Sequence, residues 1–269
     1  DLLFFFYSYL FNYVIKNRMQ DIYIDDVGKG FPLVLVHGFL GSSKMWYPQI
    51  NFFKDHFRVI APDLPGFGKS NKAKSLNSIQ SIANLLLKIL KEKKIDKYNL
   101  LGHSMGGMIA QEMAKKNGNK IEKLICYSTG PIGEMPGRFE TVDQSREKLK
   151  EKGLETTAKN IAKTWFIKGT KAKYFDLCVE VGRQTCIEAA DNALIAFKNW
   201  NGVNTLKNIK NQTLIVWGDK DKSYDIKQIE NLKNNILNSS LVIFKDCSHN
   251  VHLEKVNEFN NKIQQFLNK

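Results

Sequence analysis

The sequence predicts an α/β protein: a mostly parallel central sheet flanked by helices, with a block of helices inserted between two of its strands. Three observations carry this. The unbroken apolar run Leu33-Val34-Leu35-Val36 reads as a strand buried on both faces, and Ile121–Ser128 as another buried strand. Longer stretches with apolar residues at helical spacing alternate with them, which favours parallel pairing through right-handed crossovers. From Ile132 to about Asn211 the strand patterns stop and amphipathic helical patterns fill the interval. An interval of about 80 residues is too long for an ordinary crossover of ~10–15 residues. We therefore expect a core from 19–131 and 212–269, with 132–211 as a helical cap over the strand ends.

At 269 residues the chain suits one large α/β domain carrying an insertion, and 43% hydrophobic content excludes a disordered chain. Forty basic against 27 acidic residues give a net charge of +13. The excess is almost all lysine, with arginine only at Arg18, Arg58, Arg138, Arg146 and Arg183. Readers of bases and phosphates favour the arginine fork, so no nucleic-acid partner is expected and the lysines read as solvated faces. Cys126, Cys178, Cys186 and Cys247 show neither C-x-x-C nor metal-ligand spacing. Nothing in them asks for an oxidising compartment, and a cytoplasmic location is expected.

Taken in order, the apolar aromatic run 2–15 is shorter than the ~20 residues of a spanning helix and is interrupted by Asn12. It lacks a preceding basic region and a following small-residue cleavage site. We expect 1–18 to lie outside the fold; a membrane anchor is the alternative. Ile22–Val27 alternates as an edge strand before the turn Gly28-Lys29-Gly30. The buried run at 33–36 leads into the glycine loop His37-Gly38-Phe39-Leu40-Gly41. A short helix near Trp46–Phe53 and a strand Arg58–Ala61 follow. The turn segment 63–70 ends in Gly68-Lys69-Ser70, but Asp63 stands where a phosphate loop needs its first glycine, which excludes nucleotide binding. Helical spacing marks Ser75–Lys94, Met105–Lys116 and, within the insertion, Thr141–Lys152, Leu154–Phe166, Lys171–Val181 and Cys186–Trp200. Strands resume at Thr213–Gly218 and Leu241–Phe244, separated by a helix near Ile226–Leu237, and Leu253–Leu267 closes the chain.

The chemistry concentrates at Gly102-His103-Ser104-Met105-Gly106, between the run from Tyr98 and the helix from Met105. A serine on a sharp strand-to-helix turn needs glycine on both sides, because the turns pack too closely for side chains. The helix N-terminus places partial positive charge where an oxyanion would form. A serine hydroxyl is a weak nucleophile and requires a base held by an acid. Downstream strand ends offer Asp219 or Asp221, and then His249. The residues alone leave the two aspartates open.

These motifs, with His37-Gly38, the 63–70 segment and His252-Leu253-Glu254, resemble the α/β-hydrolase fold superfamily over residues 20–268. Within it the chain resembles small carboxylesterases and enol-lactonase-like serine hydrolases. The resemblance implies Ser104 as nucleophile, His249 as base and Asp221 as its orienting acid, the last picked by the family's G-x-x-D pattern. It implies the amides of Phe39 and Met105 as oxyanion donors, and no metal or organic cofactor. The expected substrate is a small-molecule carboxylic ester, or a lactone or thioester-linked ester. Serine at the elbow argues against the dehalogenase and epoxide-hydrolase branches, which use aspartate there. Carbon–carbon bond hydrolases of ring-cleavage pathways, and ligand receptors with vestigial turnover, are the alternatives. Leu40, Trp165, Phe166, Trp200 and His252 are candidate substrate contacts, although packing inside the cap is the better reading of each aromatic taken singly, and His252 has a packing or pocket-edge role. His37 is expected to shape the glycine loop, His103 to point away from the reacting centre, and His56 to lie at the surface.

Overall fold

The computed structural model describes residues 22–134 and 140–269; the extension 1–18 falls outside the described residues. Seven strands form one sheet: β1 (Ile24–Val27), β2 (Pro32–Val36), β3 (Arg58–Pro62), β4 (Tyr98–His103), β5 (Ile121–Tyr127), β6 (Gln212–Gly218) and β7 (Ser239–Phe244). Their order across the sheet is β1-β3-β2-β4-β5-β6-β7. Only the β1–β3 pairing is antiparallel; every other neighbour is parallel. The continuous apolar runs fall on β2 to β6, where side chains alternate between two buried faces. Val34, Val36 and Leu100 face one layer and Leu33, Leu35 and Leu101 the other.

Helices cover both faces. The first core layer packs under α2 (Ile79–Glu92) and α3 (Met105–Asn117), and the second under α1 (Tyr47–Phe53) and the closing helix, α9 below. The start of α2 is set by Ser78, whose hydroxyl accepts from the Ser81 amide at 3.1 Å. A 3-10 turn, Ser43–Trp46, precedes α1, so the expected helix begins as two distinct pieces. Between β5 and β6 lie α4 (Val142–Thr164), α5 (Phe175–Arg183) and α6 (Ile187–Asn199). Thr141 and Gln144 form a reciprocal cap at the start of α4. Gly153, at φ 72°, breaks α4 internally, at the boundary between the two helices expected from the sequence. After β6 come α7 (Ile226–Asn235), α8 (Val251–Glu254) and α9 (Val256–Leu267). The single helix expected over 253–267 is divided because Lys255 leaves helical geometry, at φ −128° and ψ 58°. Among the described residues no helix is long and apolar enough to cross a membrane.

Backbone segments approach closely at the junction of β4 and α3. A Cβ on Gly102 would lie 2.2 Å from the Gly106 carbonyl oxygen, and one on Gly106 would lie 2.2 Å from the carbonyl oxygen of Val36. Neither obstacle is a side chain that can swing aside. Gly106→Ala is therefore expected to destabilise the fold by at least the ~1–3 kcal/mol typical of overpacking. Urea unfolding midpoints measure it, and a midpoint within error of the unaltered chain would mean that β2 and α3 can part without loss.

Candidate active site

Ser104 caps the N-terminus of α3 with φ 55° and ψ −117°, a conformation that L-residues rarely adopt. Several bonds hold it there. Its amide donates to the Tyr127 carbonyl at 2.9 Å, and its own carbonyl accepts from Thr129 Oγ1 at 2.8 Å and from the Gly107 amide at 2.9 Å. The turn leaves Ser104 7% exposed, at the wall of a cavity beyond the carboxyl ends of the strands.

The cavity has a volume of about 80 Å³. His249 shares its wall with Ser104. The loop after β7 carries this histidine, and the loop after β6 carries Asp221. His249 Nδ1 lies 2.9 Å from Asp221 Oδ2, and both side chains are almost fully buried. Asp221 Oδ1 accepts from the amides of Ser223 at 2.7 Å and Tyr224 at 3.4 Å. The carboxylate is thus satisfied on both oxygens, and Nδ1 of His249 is the ring atom turned toward it. Asp219 stands apart from this pair: it is bonded to Lys220 at 3.3 Å and its side chain is 20% exposed.

The glycine loop lies against Ser104, close enough that a Cβ on Gly38 would sit 2.9 Å from the Ser104 Cβ. His37 braces this loop. Its Nε2 accepts from the Leu64 amide at 2.9 Å, which leaves Nδ1 to donate to the Gly38 carbonyl at 2.8 Å. Burial lowers its pKa and keeps the ring neutral. Phe39 lines the cavity, and Met105, as first residue of α3, carries one of the helix-start amides that have no acceptor within the helix.

The other candidates divide. Trp165 and His252 line the cavity. Leu40, Phe166 and Trp200 do not. Leu40 is fully buried under the loop at φ 53°, and Phe166 turns to a separate surface groove with Ile167 and Tyr174. Trp200 is buried and donates through Nε1 to Glu112 Oε1 on α3 at 3.0 Å, which spends its polar edge on anchoring. His103 also reaches the cavity wall, its ring 4.6 Å from that of His249 and stacked at 4.6 Å on Tyr127. Burial and the neighbouring imidazole of His249 hold its pKa well below the usual histidine value. The sequence reading missed Phe197, Ile161 and Tyr224 as lining residues. Phe197 meets Phe39 edge-on at 5.9 Å, and Tyr224 stacks on His249 at 5.8 Å. Only the three-residue distance of Tyr224 from Asp221 hinted at its place. Among the described residues no cluster of three or more His, Cys, Asp or Glu is arranged to hold a metal ion.

Comparison with known proteins agrees with this architecture. The model of a family described as alpha/beta hydrolase fold matches residues 32–256. A superfamily protein of Bacillus subtilis, YisY, is 28% identical, covering 96% of this chain and 99% of its own length. A pimeloyl-[acyl-carrier protein] methyl ester esterase of Legionella pneumophila is 28% identical over 92% of this chain and all of its own. Among solved structures, an esterase from Exiguobacterium antarcticum superposes with a TM-score of 0.86 at 24% identity, covering 92% of this chain and 96% of that one. The enol-lactonase from Burkholderia xenovorans LB400 gives 0.85 at 22%, with the same coverage.

The anchoring of Trp200 has a measurable consequence. Trp200→Ala removes a buried ring and one of the donors to the Glu112 carboxylate, which keeps Gln80 and Lys115, and should lower stability by about 3–5 kcal/mol. Trp200→Phe keeps most of the apolar contact and should lose only the donor, about 1–3 kcal/mol. A Trp200→Phe variant with the urea midpoint of the unaltered chain would show that the Glu112 bond contributes nothing.

Proposed function

The chain belongs to the alpha/beta hydrolase fold family, and on that premise we propose that it is a serine hydrolase cleaving a small carboxylic ester through an acyl-enzyme. One observation carries the reading: a serine in strained geometry at a helix start opens on the same cavity as an imidazole already bonded to a buried carboxylate. Ser104 Oγ attacks the ester carbonyl while His249 Nε2 takes its proton. Asp221 holds Nδ1–H of the imidazole, leaving Nε2 as the basic atom, and stabilises the imidazolium that forms. The carbonyl oxygen gains its charge toward the amides of Phe39 and Met105, which require no rearrangement as the charge develops. Collapse of the tetrahedral species expels the alcohol, protonated by His249. Water, deprotonated by the same imidazole, then attacks the acyl-serine and releases the acid.

The walls support a small substrate. Phe39, Phe197, Trp165 and Tyr224 close around the serine and leave little free space. In this reading the segment 132–211 acts as a cap: Ile161, Thr164, Trp165 and Phe197 come from it, so it selects the substrate while the sheet ends supply the chemistry. The relatives described as a methyl ester esterase and an enol-lactonase are consistent with ester or lactone carbonyls as the class.

Two outcomes are expected. Ser104 should be the single residue labelled by a fluorophosphonate, because the trap needs an activated hydroxyl and donors for the tetrahedral oxygen. Peptide mass spectrometry decides it, and a mark on another serine, or full esterase turnover in Ser104→Ala, would sink the mechanism. Asp221→Asn should lower kcat by roughly 10³–10⁴-fold through a mis-set imidazole, whereas Asp219→Asn should stay within a few-fold. Steady-state rates with short-chain esters distinguish the two carboxylates, and the reverse ranking would reassign the acid.

A further inference from the structure

Tyr127 is the last residue of β5 and fully buried. Its two ends hold different halves of the site. The backbone carbonyl accepts the amide of Ser104 at 2.9 Å. The hydroxyl lies 3.0 Å from the His249 carbonyl, 2.9 Å from His252 Nδ1 and 3.1 Å from the His252 amide. All three partners belong to the short loop and turn that carry His249. From the geometry we infer that Tyr127 is a positioning residue, a rigid spacer whose hydroxyl sets where the His249 imidazole stands relative to Ser104.

The hydrogen-bond inventory supports this in either tautomer of His252. With the proton on Nδ1, the hydroxyl accepts from Nδ1–H and from the His252 amide and donates to the His249 carbonyl. With the proton on Nε2, the hydroxyl donates to Nδ1 and still accepts the amide. Two or three bonds therefore tie the loop to β5 in both cases. The ring is as constrained as the hydroxyl. It stacks on His103, meets Trp46 and Phe259 at 6.4 and 4.9 Å, and has no open side toward which to swing. A tyrosine ring between two fixed ends transmits position with almost no torsional slack. Burial pushes the phenol pKa well up and the His252 pKa down to about 3, so neither group brings charge to the site. Their contribution is geometric.

This inference rests on the ester-hydrolase reading for its kinetic test, and one readout is independent of it. Tyr127→Phe deletes a single oxygen and leaves the ring in place. Measured on folded protein isolated by size exclusion, kcat should fall at least about tenfold, the effect of 1.4 kcal/mol at the transition state, with KM within about twofold. The rate of fluorophosphonate labelling at Ser104 should fall in parallel. The far-downfield proton of His249 shared with Asp221, observed by NMR without substrate, should shift or broaden. A packing role alone would lower the melting temperature while leaving kcat per folded molecule and that resonance unchanged, and this result overturns the proposal. If the phenylalanine variant does not fold, a chain carrying 3-fluorotyrosine at 127 replaces it. That residue keeps the hydroxyl but weakens it as an acceptor. A severalfold drop in kcat at constant KM upholds the proposal, and an unchanged kcat overturns it. If the unaltered chain neither cleaves esters nor labels at Ser104, the ester-hydrolase reading is what fails, and the His249 resonance still decides the role of Tyr127.

Discussion

The close approach of three backbone segments around Ser104 governs everything built near it. The end of β4, the first turn of α3 and the end of β2 meet at distances that exclude any Cβ at 102 or 106. A residue at φ 55° costs on the order of 1–3 kcal/mol, and it persists because its neighbours over-determine it. The Ser104 amide and carbonyl are both bonded, the first to β5 and the second to Thr129 and α3. The strain also has a use. It places Ser104 at the cavity wall, at the start of α3, whose first amides have no acceptor within the helix.

One wall of the cavity is formed by His103, His252 and Trp46, with Tyr127 and Phe259 packed against them in a dense set of imidazole and aromatic rings. Burial holds His37, His103 and His252 neutral by pulling their pKa values down. Neutral imidazoles can each give one hydrogen bond and take one, without the penalty of a buried charge. Three of the five histidines in the chain are thus used as hydrogen-bonding pieces of the scaffold. Among the described residues His249 is the histidine bonded to a carboxylate, and it shares the cavity wall with Ser104.

The inserted helices are bonded directly to the loop that carries His249. Glu254 accepts the Ile167 amide at 2.7 Å on one oxygen and the Ser248 amide at 2.6 Å on the other. Ser248 Oγ donates to the Thr164 carbonyl, and the Asn250 amide to the carbonyl of Trp165. The end of α4, which supplies Trp165 to the cavity wall, cannot shift without pulling on the residues flanking His249. The cavity wall at Trp165 and the loop of His249 are therefore mechanically one unit, although more than 80 residues separate them in the chain.

The sequence by itself determined the parts whose cause is local. Apolar runs that must be buried on both faces located the strands, and their alternation with helical spacing implied parallel pairing, as found in all but the β1 edge. The glycines at 102 and 106 marked the elbow because only a missing side chain permits that approach, which is a property of the residue type. Asp221 and His249 were legible from the order of strand ends together with the family pattern, and the structure brings them within hydrogen-bond distance. What the sequence left open are facts of long-range packing. Whether an aromatic of the insertion faces the cavity depends on which partner takes its polar edge: Glu112 claims Trp200, while Trp165 has its backbone bound to the His249 loop and its ring free for the wall. The same holds for Tyr127. In sequence it ends an ordinary apolar strand, and its hydroxyl acquires a purpose only when folding brings residues 249–252 over it, 122 positions away in the chain. Periodicity records which face a residue presents to the core, but not which distant group meets it there.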